Sequence, residues 1–184
     1  MSSTTLSPLT TYDDYRTLPD DGKLHQIIEG KLYMTPVPTP EHQDILLNLA
    51  TSIRDFAKKH HIGKVYTAPI DVILSMTDVI QPDIIFVAKD RLRIVTEKNI
   101  VDAPDLIIEI ISPSTESIDR NKKFSLYEKH GVKEYWLADP ARKEIQQYLF
   151  KESSFHLTST SGTTQKLSSE VLAGFSITPS EVFE

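Results

Sequence analysis

Residues 104–115 read PDLIIEIISPST, and they set one carboxylate, Glu109, among Leu106, Ile107, Ile108, Ile110 and Ile111. A short β-branched run bounded by Pro104 and Pro113 reads as a fully buried strand. A carboxylate in such a strand loses its hydration, a heavy cost unless a partner compensates. Two further acids stand in similar settings, Asp105 on the same strand and Asp83 in VIQPDIIFV at 79–87. Asp105 and Glu109 lie about 13 Å apart along one strand at ~3.3 Å per residue, too far to share an ion. Asp83 is on a different strand, and neighbouring strands are only ~4.8 Å apart. If the two strands are adjacent, Asp83 and Glu109 face each other. Two acids in apolar surroundings repel unless a cation joins them. Mg²⁺ answers that need, being held by one or two carboxylates, water and substrate phosphate; Mn²⁺ is the natural substitute. The backbone carbonyl of Ile110 is a candidate further ligand. Such a centre suits phosphodiester hydrolysis, with the ion activating water and neutralising the phosphate.

A cationic side chain should complete the site by orienting the water and stabilising the phosphate. The strand does not supply it, because Ile111 occupies the next position on the Glu109 face. The following helix offers Lys122 and Lys123. Lys123 shares a face with Tyr127, and Lys122 shares one with Ile118 and Leu126. Helical spacing leaves that choice open. The competing readings are a strand-edge acid paired with an Arg and two solvated helix lysines.

These groups need elements to position them. Thr11 with Asp14 predicts a capped short helix ending before Pro19. KLHQIIEGKLYM predicts a hairpin turning at Glu29-Gly30. TPEHQDILLNLATSIRDFAKKHHIG predicts a long helix with Thr39 as N-cap, Pro40 first and Gly63 as the stop. Ile45, Leu46, Leu49, Ile53, Phe56 and Ala57 form its apolar stripe. Three strands are predicted next, at 64–74, 79–87 and 104–111. A charged connection over 88–103 carries room for a helical turn. STESIDRNKKFSLYEKHG predicts a helix from Ser114 or Thr115 to Gly131. VKEYWLAD reads as a strand with Tyr135 and Trp136 in the core, and Asp139 ends it before Pro140. KEIQQYLF and SFHLTST predict a meander, and ITPSEVF a last short helix. Strands interleaved with helices make this an α/β chain with a mixed central sheet in the order helix, strand, strand, strand, helix, strand.

Composition narrows the classes. At 184 residues, 39% apolar and 25% charged, the chain is one globular domain, with residues 1–9 a flexible lead. The 0 Cys exclude disulfides, thiolate metal sites and a cysteine nucleophile. MSSTTLSPLT has no signal-peptide pattern, and no apolar run reaches membrane length, so a cytoplasmic location is the default. The 20 Lys+Arg against 26 Asp+Glu give a net charge of −6, which counts against charge-driven coating of nucleic acid. Lys58, Lys59, His60, His61 and Lys64 form a basic patch, best explained as complementing a helix C-terminus. Nucleotide-binding glycine loops are missing.

VIQPDIIFV, APDLIIEIISPST, DRNKKFSLYEKHGVKEYWLADP and IIEGKLYMTPVPTPEHQ together resemble the Uma family of restriction endonucleases, within the PD-(D/E)XK nuclease superfamily. The resemblance spans roughly Thr10 to Phe183. It implies a restriction-endonuclease-like core with an N-terminal hairpin and a C-terminal β meander. It implies that Asp83 and Glu109 bind the metal and that the lysine has moved from strand to helix, which selects Lys123. It also implies DNA as substrate and a homodimer. The family hairpin usually carries an acid where this chain has Gln26, with Glu29 retained nearby. His42, at the start of the long helix, matches the family pattern; a local capping role is the alternative. The expectation is a Mg²⁺-dependent endonuclease with Asp83, Glu109 and Lys123 at its centre and Gln26, Glu29 and His42 around it. The rival is a catalytically silent module of the same fold used for binding or assembly. A small phosphodiester substrate stays open.

Overall fold

The computed structural model describes residues 10–18 and 23–184; the lead at 1–9 lies outside the described residues. Thr11 opens α1 (Tyr12–Tyr15) through a capping box with Asp14. β1 (Leu24–Ile28) and β2 (Lys31–Thr35) form the expected hairpin. Both turn residues have positive φ, 51° at Glu29 and 69° at Gly30, as a two-residue hairpin turn requires. In α2 (Pro40–His60) the Thr39 hydroxyl accepts the His42 N–H at 3.2 Å. The helix ends with His61 in the left-handed conformation, so Gly63 is not the stop that the sequence suggested. Gly63 instead begins β3 (Gly63–Thr67), where a Cβ would stand 2.3 Å from the Val87 carbonyl oxygen. Close strand packing, not helix termination, is what demands the glycine.

The segments read as single strands over 64–74 and 79–87 are each broken in two. β3 is followed by β4 (Val72–Ser75), and β5 (Asp78–Ile80) by β6 (Ile84–Ala88). Proline has no N–H to donate to a ladder, and the breaks fall at Pro69 and Pro82. β4 pairs with β5 and β3 with β6, both antiparallel. The result is one long hairpin whose tip belongs to one sheet and whose base belongs to another. A 3₁₀ turn (Lys89–Ile94) fills the charged connection, followed by β7 (Ile100–Val101) and β8 (Leu106–Ile110). A π-helical turn (Ile118–Lys123) then runs into α3 (Phe124–Lys129). β9 (Glu134–Asp139), β10 (Glu144–Lys151) and β11 (Ser154–Ser161) form the meander, and β12 (Leu167–Ser168) and β13 (Ser176–Ile177) precede a 3₁₀ turn (Pro179–Glu181).

The sheet orders are β2-β1-β5-β4-β7 and β11-β10-β9-β8-β6-β3, with β8 and β9 parallel, so the larger sheet is mixed as expected. β6 and β8 are buried on both faces. Ile84, Phe86, Leu106 and Ile108 pack with Leu49 and Ile53 of α2, whereas Ile85, Val87 and Ile107 pack with Tyr127, Tyr135 and Ile80 on the other side. Trp136 and Tyr135 are fully buried. Glu109, an odd-numbered residue of β8, therefore points to the face covered by α3 and the smaller sheet. Among the described residues, no helix is long and apolar enough to cross a membrane.

Asp105 pins the start of β8. Its carboxylate accepts the Ala88 N–H at 2.8 Å and meets Arg91 at 3.1 Å and Lys133 at 2.7 Å. Burial disfavours its charge, but these partners outweigh burial and hold its pKa below the usual carboxylate range. The folded value is depressed, so the stabilisation is complete above the unfolded carboxylate pKa and is lost as pH falls through the folded one. Asp105→Asn is expected to cost about 1–3 kcal/mol at neutral pH and to flatten the acid limb of a stability–pH curve measured by urea unfolding. An acid limb as steep as that of the unsubstituted chain would contradict this assignment.

Candidate active site

The β6–β8 ladder places Ile84 opposite Ile108, Ile85 opposite Ile107 and Phe86 opposite Leu106. Extending that register by one step, beyond the ladder itself, would bring Asp83 level with Glu109. Asp83 precedes β6, where the strand leaves the ladder after Pro82. Its Oδ2 accepts the Ile110 N–H at 2.7 Å and lies 3.2 Å from His42 Nε2. In a strand a residue's N–H and C=O share one edge, so the Ile110 carbonyl is presented on the Asp83 side. The Thr39 cap fixes the first turn of α2, and that turn delivers His42.

Glu109 lies deeper. Tyr127 donates its hydroxyl to Glu109 Oε1 at 2.5 Å, and Lys123 Nζ lies 3.0 Å from Oε2. Lys123 Nζ is also 3.1 Å from Asp119 Oδ1, at ion-pair distance but without hydrogen-bond alignment. The side chains of Glu109 and Lys123 are only 3% and 7% exposed. The π turn accounts for this arrangement: Asp119 and Lys123 are both buried, while Asn121 and Lys122 stay exposed. Such turns recur at functional sites. Arg120 anchors the turn through Asp139 at 2.7 Å and Gln146 at 2.9 Å. The two lysines differ in position: Lys123 is buried beside Glu109, and Lys122 is exposed. Lys122 donates to the Tyr33 hydroxyl at 2.5 Å, with its Nζ 4.5 Å from that ring's centre.

The electrostatics follow from three acids facing one ammonium. Burial is the main cause that pushes the Glu109 pKa up to about 8; Lys123 opposes it, and the charges of Asp119 and Asp83 add to it. Burial disfavours charge on Lys123, but Glu109, Asp119 and Asp83 outweigh it and raise its pKa. Burial also opposes a charged His42, yet the hydrogen bond and charge of Asp83 lift its pKa above the ordinary value. All three shifts point the same way: the cluster has an excess of acid and retains protons. A bound cation would relieve that excess, so the donor set fits a divalent ion. Among the described residues no group of three His, Asp or Glu could cage a metal alone. An ion here must complete its shell with backbone oxygen and water, the usual habit of Mg²⁺.

Asp83, Glu109, Ile110, Lys123, His42 and Gln26 all line one pocket of about 470 Å³. Gln26 is buried, and its Oε1 accepts the Gln81 N–H at 3.3 Å. Glu29 is not brought to this pocket, contrary to its expected place in the outer ring. It sits exposed in the β1–β2 turn, where its N–H is taken by Asp78 Oδ1 at 2.8 Å. Sequence reasoning missed Asp119 and Tyr127. The four-residue spacing of Asp119, Lys123 and Tyr127 was the available signal.

A family model described as "Putative restriction endonuclease", Uma2, matches residues 12–180. The chain belongs to this family. A solved structure from Anabaena variabilis, described as "a putative nuclease belonging to DUF820", is similar over 94% of this chain and 97% of its own. The TM-score is 0.79 at 22% sequence identity, a likeness of fold that identifies the architecture as restriction-endonuclease-like. No curated protein matches the chain.

The Tyr127 hydroxyl should matter to the fold as well as to the site. Tyr127→Phe leaves a fully buried carboxylate oxygen without its donor and is expected to cost about 1–3 kcal/mol. Calorimetric unfolding at pH 7 checks this. An unchanged transition would mean that Glu109 does not depend on the phenol.

Proposed function

We propose that this chain is a Mg²⁺-dependent endonuclease hydrolysing phosphodiester bonds of DNA. The observation that carries this reading is that Asp83 and Glu109 line one pocket, where Asp83 Oδ2 accepts the Ile110 N–H at 2.7 Å and Lys123 Nζ lies 3.0 Å from Glu109. Asp83, Glu109 and the Ile110 carbonyl are the groups that would hold the ion. When bound, the ion supplies Lewis-acid charge to the phosphate and acidifies a water nucleophile. The remaining roles belong to the chain itself. Lys123 holds a full positive charge in a desolvated place, where it offsets charge building on the phosphate most effectively. Tyr127 fixes the Glu109 carboxylate from behind. The Ile110 N–H and His42 fix the orientation of Asp83.

A second reading, a catalytically silent module for binding or assembly, draws on one feature. Gln26 is a neutral side chain at the pocket, in the hairpin position where an acid was expected, which lowers the ligand charge available to a cation.

Isothermal titration with Mn²⁺ separates the two. The unsubstituted chain should bind the ion, and the Asp83→Asn/Glu109→Gln double variant should not. Equal binding by both, or by neither, would favour the silent module. In a DNA cleavage assay Lys123→Ala is expected to lower the rate by about 10²–10³, the size of losing one electrostatic stabiliser. Lys122→Ala should leave the chemistry in place. The reverse ranking would overturn the lysine assignment.

A further inference from the structure

The floor of the pocket is charged, but its walls are not. Leu24, Met34 and Val37 come from the hairpin and the segment after it, and Pro69 and Ile118 close the sides, with Tyr33 among them. Met34 is 60% exposed and Val37 is 92% exposed, so an apolar ledge is held in water directly beside an ionic centre. Such a ledge costs free energy unless something apolar covers it. Two pocket-lining residues also carry buried polar side-chain atoms that meet no hydrogen-bond partner among the described residues, Gln81 Oε1 and His42 Nδ1. Gln81 spends its amide nitrogen on Asp71 Oδ1 at 2.9 Å, which leaves its oxygen as an acceptor. His42 spends Nε2 on Asp83 and leaves Nδ1. Buried polar atoms of this kind are normally satisfied. A ligand that brings one donor group, one phosphate and one flat apolar face would satisfy all three features.

The charges narrow the ligand further. Among the described residues, Lys123 is the one Lys or Arg lining the pocket, beside Asp83, Glu109 and Asp119. Duplex binding relies on several Lys or Arg contacts tracking phosphates along the backbone, whereas the nearest further lysine described at this wall, Lys122, is engaged with Tyr33. Depth matters as well. A phosphate must enter the pocket to approach groups only 3% and 7% exposed. In a duplex, the base attached to that phosphate is stacked and paired and cannot follow it inward without being flipped out. A single strand can splay a base at little cost and lay its face on apolar or aromatic side chains. A volume of about 470 Å³ suits one nucleotide, not a base pair with its backbones.

We propose that the pocket takes single-stranded nucleic acid, with the nucleotide beside the scissile phosphate unstacked and its base laid against the Tyr33–Met34–Val37 wall. This rests on the phosphodiester reading of the floor and names its substrate. Gln81 Oε1 is the acceptor for an amino group on the base edge, and Tyr33 is held in place by Lys122. Met34 and Val37 are specificity-determining residues that take no part in the chemistry.

The test uses the full chain with Mn²⁺ and a labelled 20-nucleotide DNA, offered as a single strand and as a blunt duplex. The single strand should be cleaved about tenfold faster or more, the scale of one lost stacking contact. Met34→Glu and Val37→Glu, both at exposed positions and so expected to fold normally, should raise KM for the single strand by a similar factor and leave kcat unchanged. Equal or faster cleavage of the duplex, or variants without effect on KM, would overturn the proposal while leaving the nuclease reading intact. A second readout does not need cleavage. A strand carrying 2-aminopurine is titrated into Lys123→Ala protein, where base unstacking changes its fluorescence. The signal should appear and should vanish in Lys123→Ala/Met34→Glu. If the unsubstituted chain cuts neither substrate, the chemical reading fails; this signal then decides the base pocket alone, and its absence would overturn it.

Discussion

The register between β6 and β8 is the constraint on which the rest depends. A slip of one residue would turn Glu109 away from Lys123 and Tyr127 and towards α2. Two apolar strands buried on both faces have little in their aliphatic side chains to forbid that slip. The polar ends forbid it. The motif Pro-Asp opens both strands, as Pro82-Asp83 and Pro104-Asp105. In an antiparallel pair the start of each strand lies beside the end of the other. Asp105 accordingly takes the N–H of Ala88 at the end of β6, and Asp83 takes the N–H of Ile110 at the end of β8. Each acid caps its neighbour, and together they fix the ladder at both ends.

The two caps differ in what else surrounds them, and that difference separates structure from site. Asp105 is neutralised by Arg91 and Lys133 and its charge is spent. Asp83 has His42 beside it and Glu109 across the ladder. Glu134 makes the same point from another side. It is a fully buried strand acid, yet it accepts from Trp136 Nε1, Gln147 Nε2, Ser169 Oγ and the N–H groups of Glu170 and Val171. Five donors stabilise that carboxylate without any cation. A buried acid in a strand is therefore not by itself a sign of chemistry. The sign is an acid whose neighbours are other acids, with fewer positive charges than negative ones.

Much of this was readable in advance where local rules act alone. The Thr39 cap, the Glu29-Gly30 turn and the α2 stripe depend on residues near in sequence, and each formed as expected. Strand spacing excluded Asp105 as a partner for Glu109, and Asp83 and Glu109 line one pocket while Asp105 does not. Other features depend on tertiary structure. Prolines at 69 and 82 showed that ladder bonds were missing, but not that the chain would change sheets there. Gly63 resembles a helix stop until Val87 and Phe86 are placed against it. Glu29 was singled out through the resemblance, as an acid retained near Gln26 in the hairpin, whereas the turn that suits it leaves it exposed to solvent. Asp119 stands four residues before Lys123, a spacing that allows contact, but its burial beside Glu109 depends on how the crossover packs on the sheet.

The position of the lysine follows from topology. β8 and β9 are parallel neighbours, so the chain between them must cross over through a helix packed on the sheet. That crossover leaves β8 after Ile110 and returns over the very face to which Glu109 points. A cation carried on its first turns reaches the acid without occupying a strand position. Ile111, where a strand-borne lysine would sit, is then free to pack with Tyr135 and Leu137. The helix can also add what a strand cannot. Residues four apart meet on one helical face, so Asp119 and Tyr127 flank Lys123 from the same element, one holding the ammonium and the other holding its partner carboxylate. A lysine on the crossover thus arrives with its own orienting groups, and one segment supplies the charge, its counter-charge and the hydrogen bond that keeps Glu109 in register with Asp83.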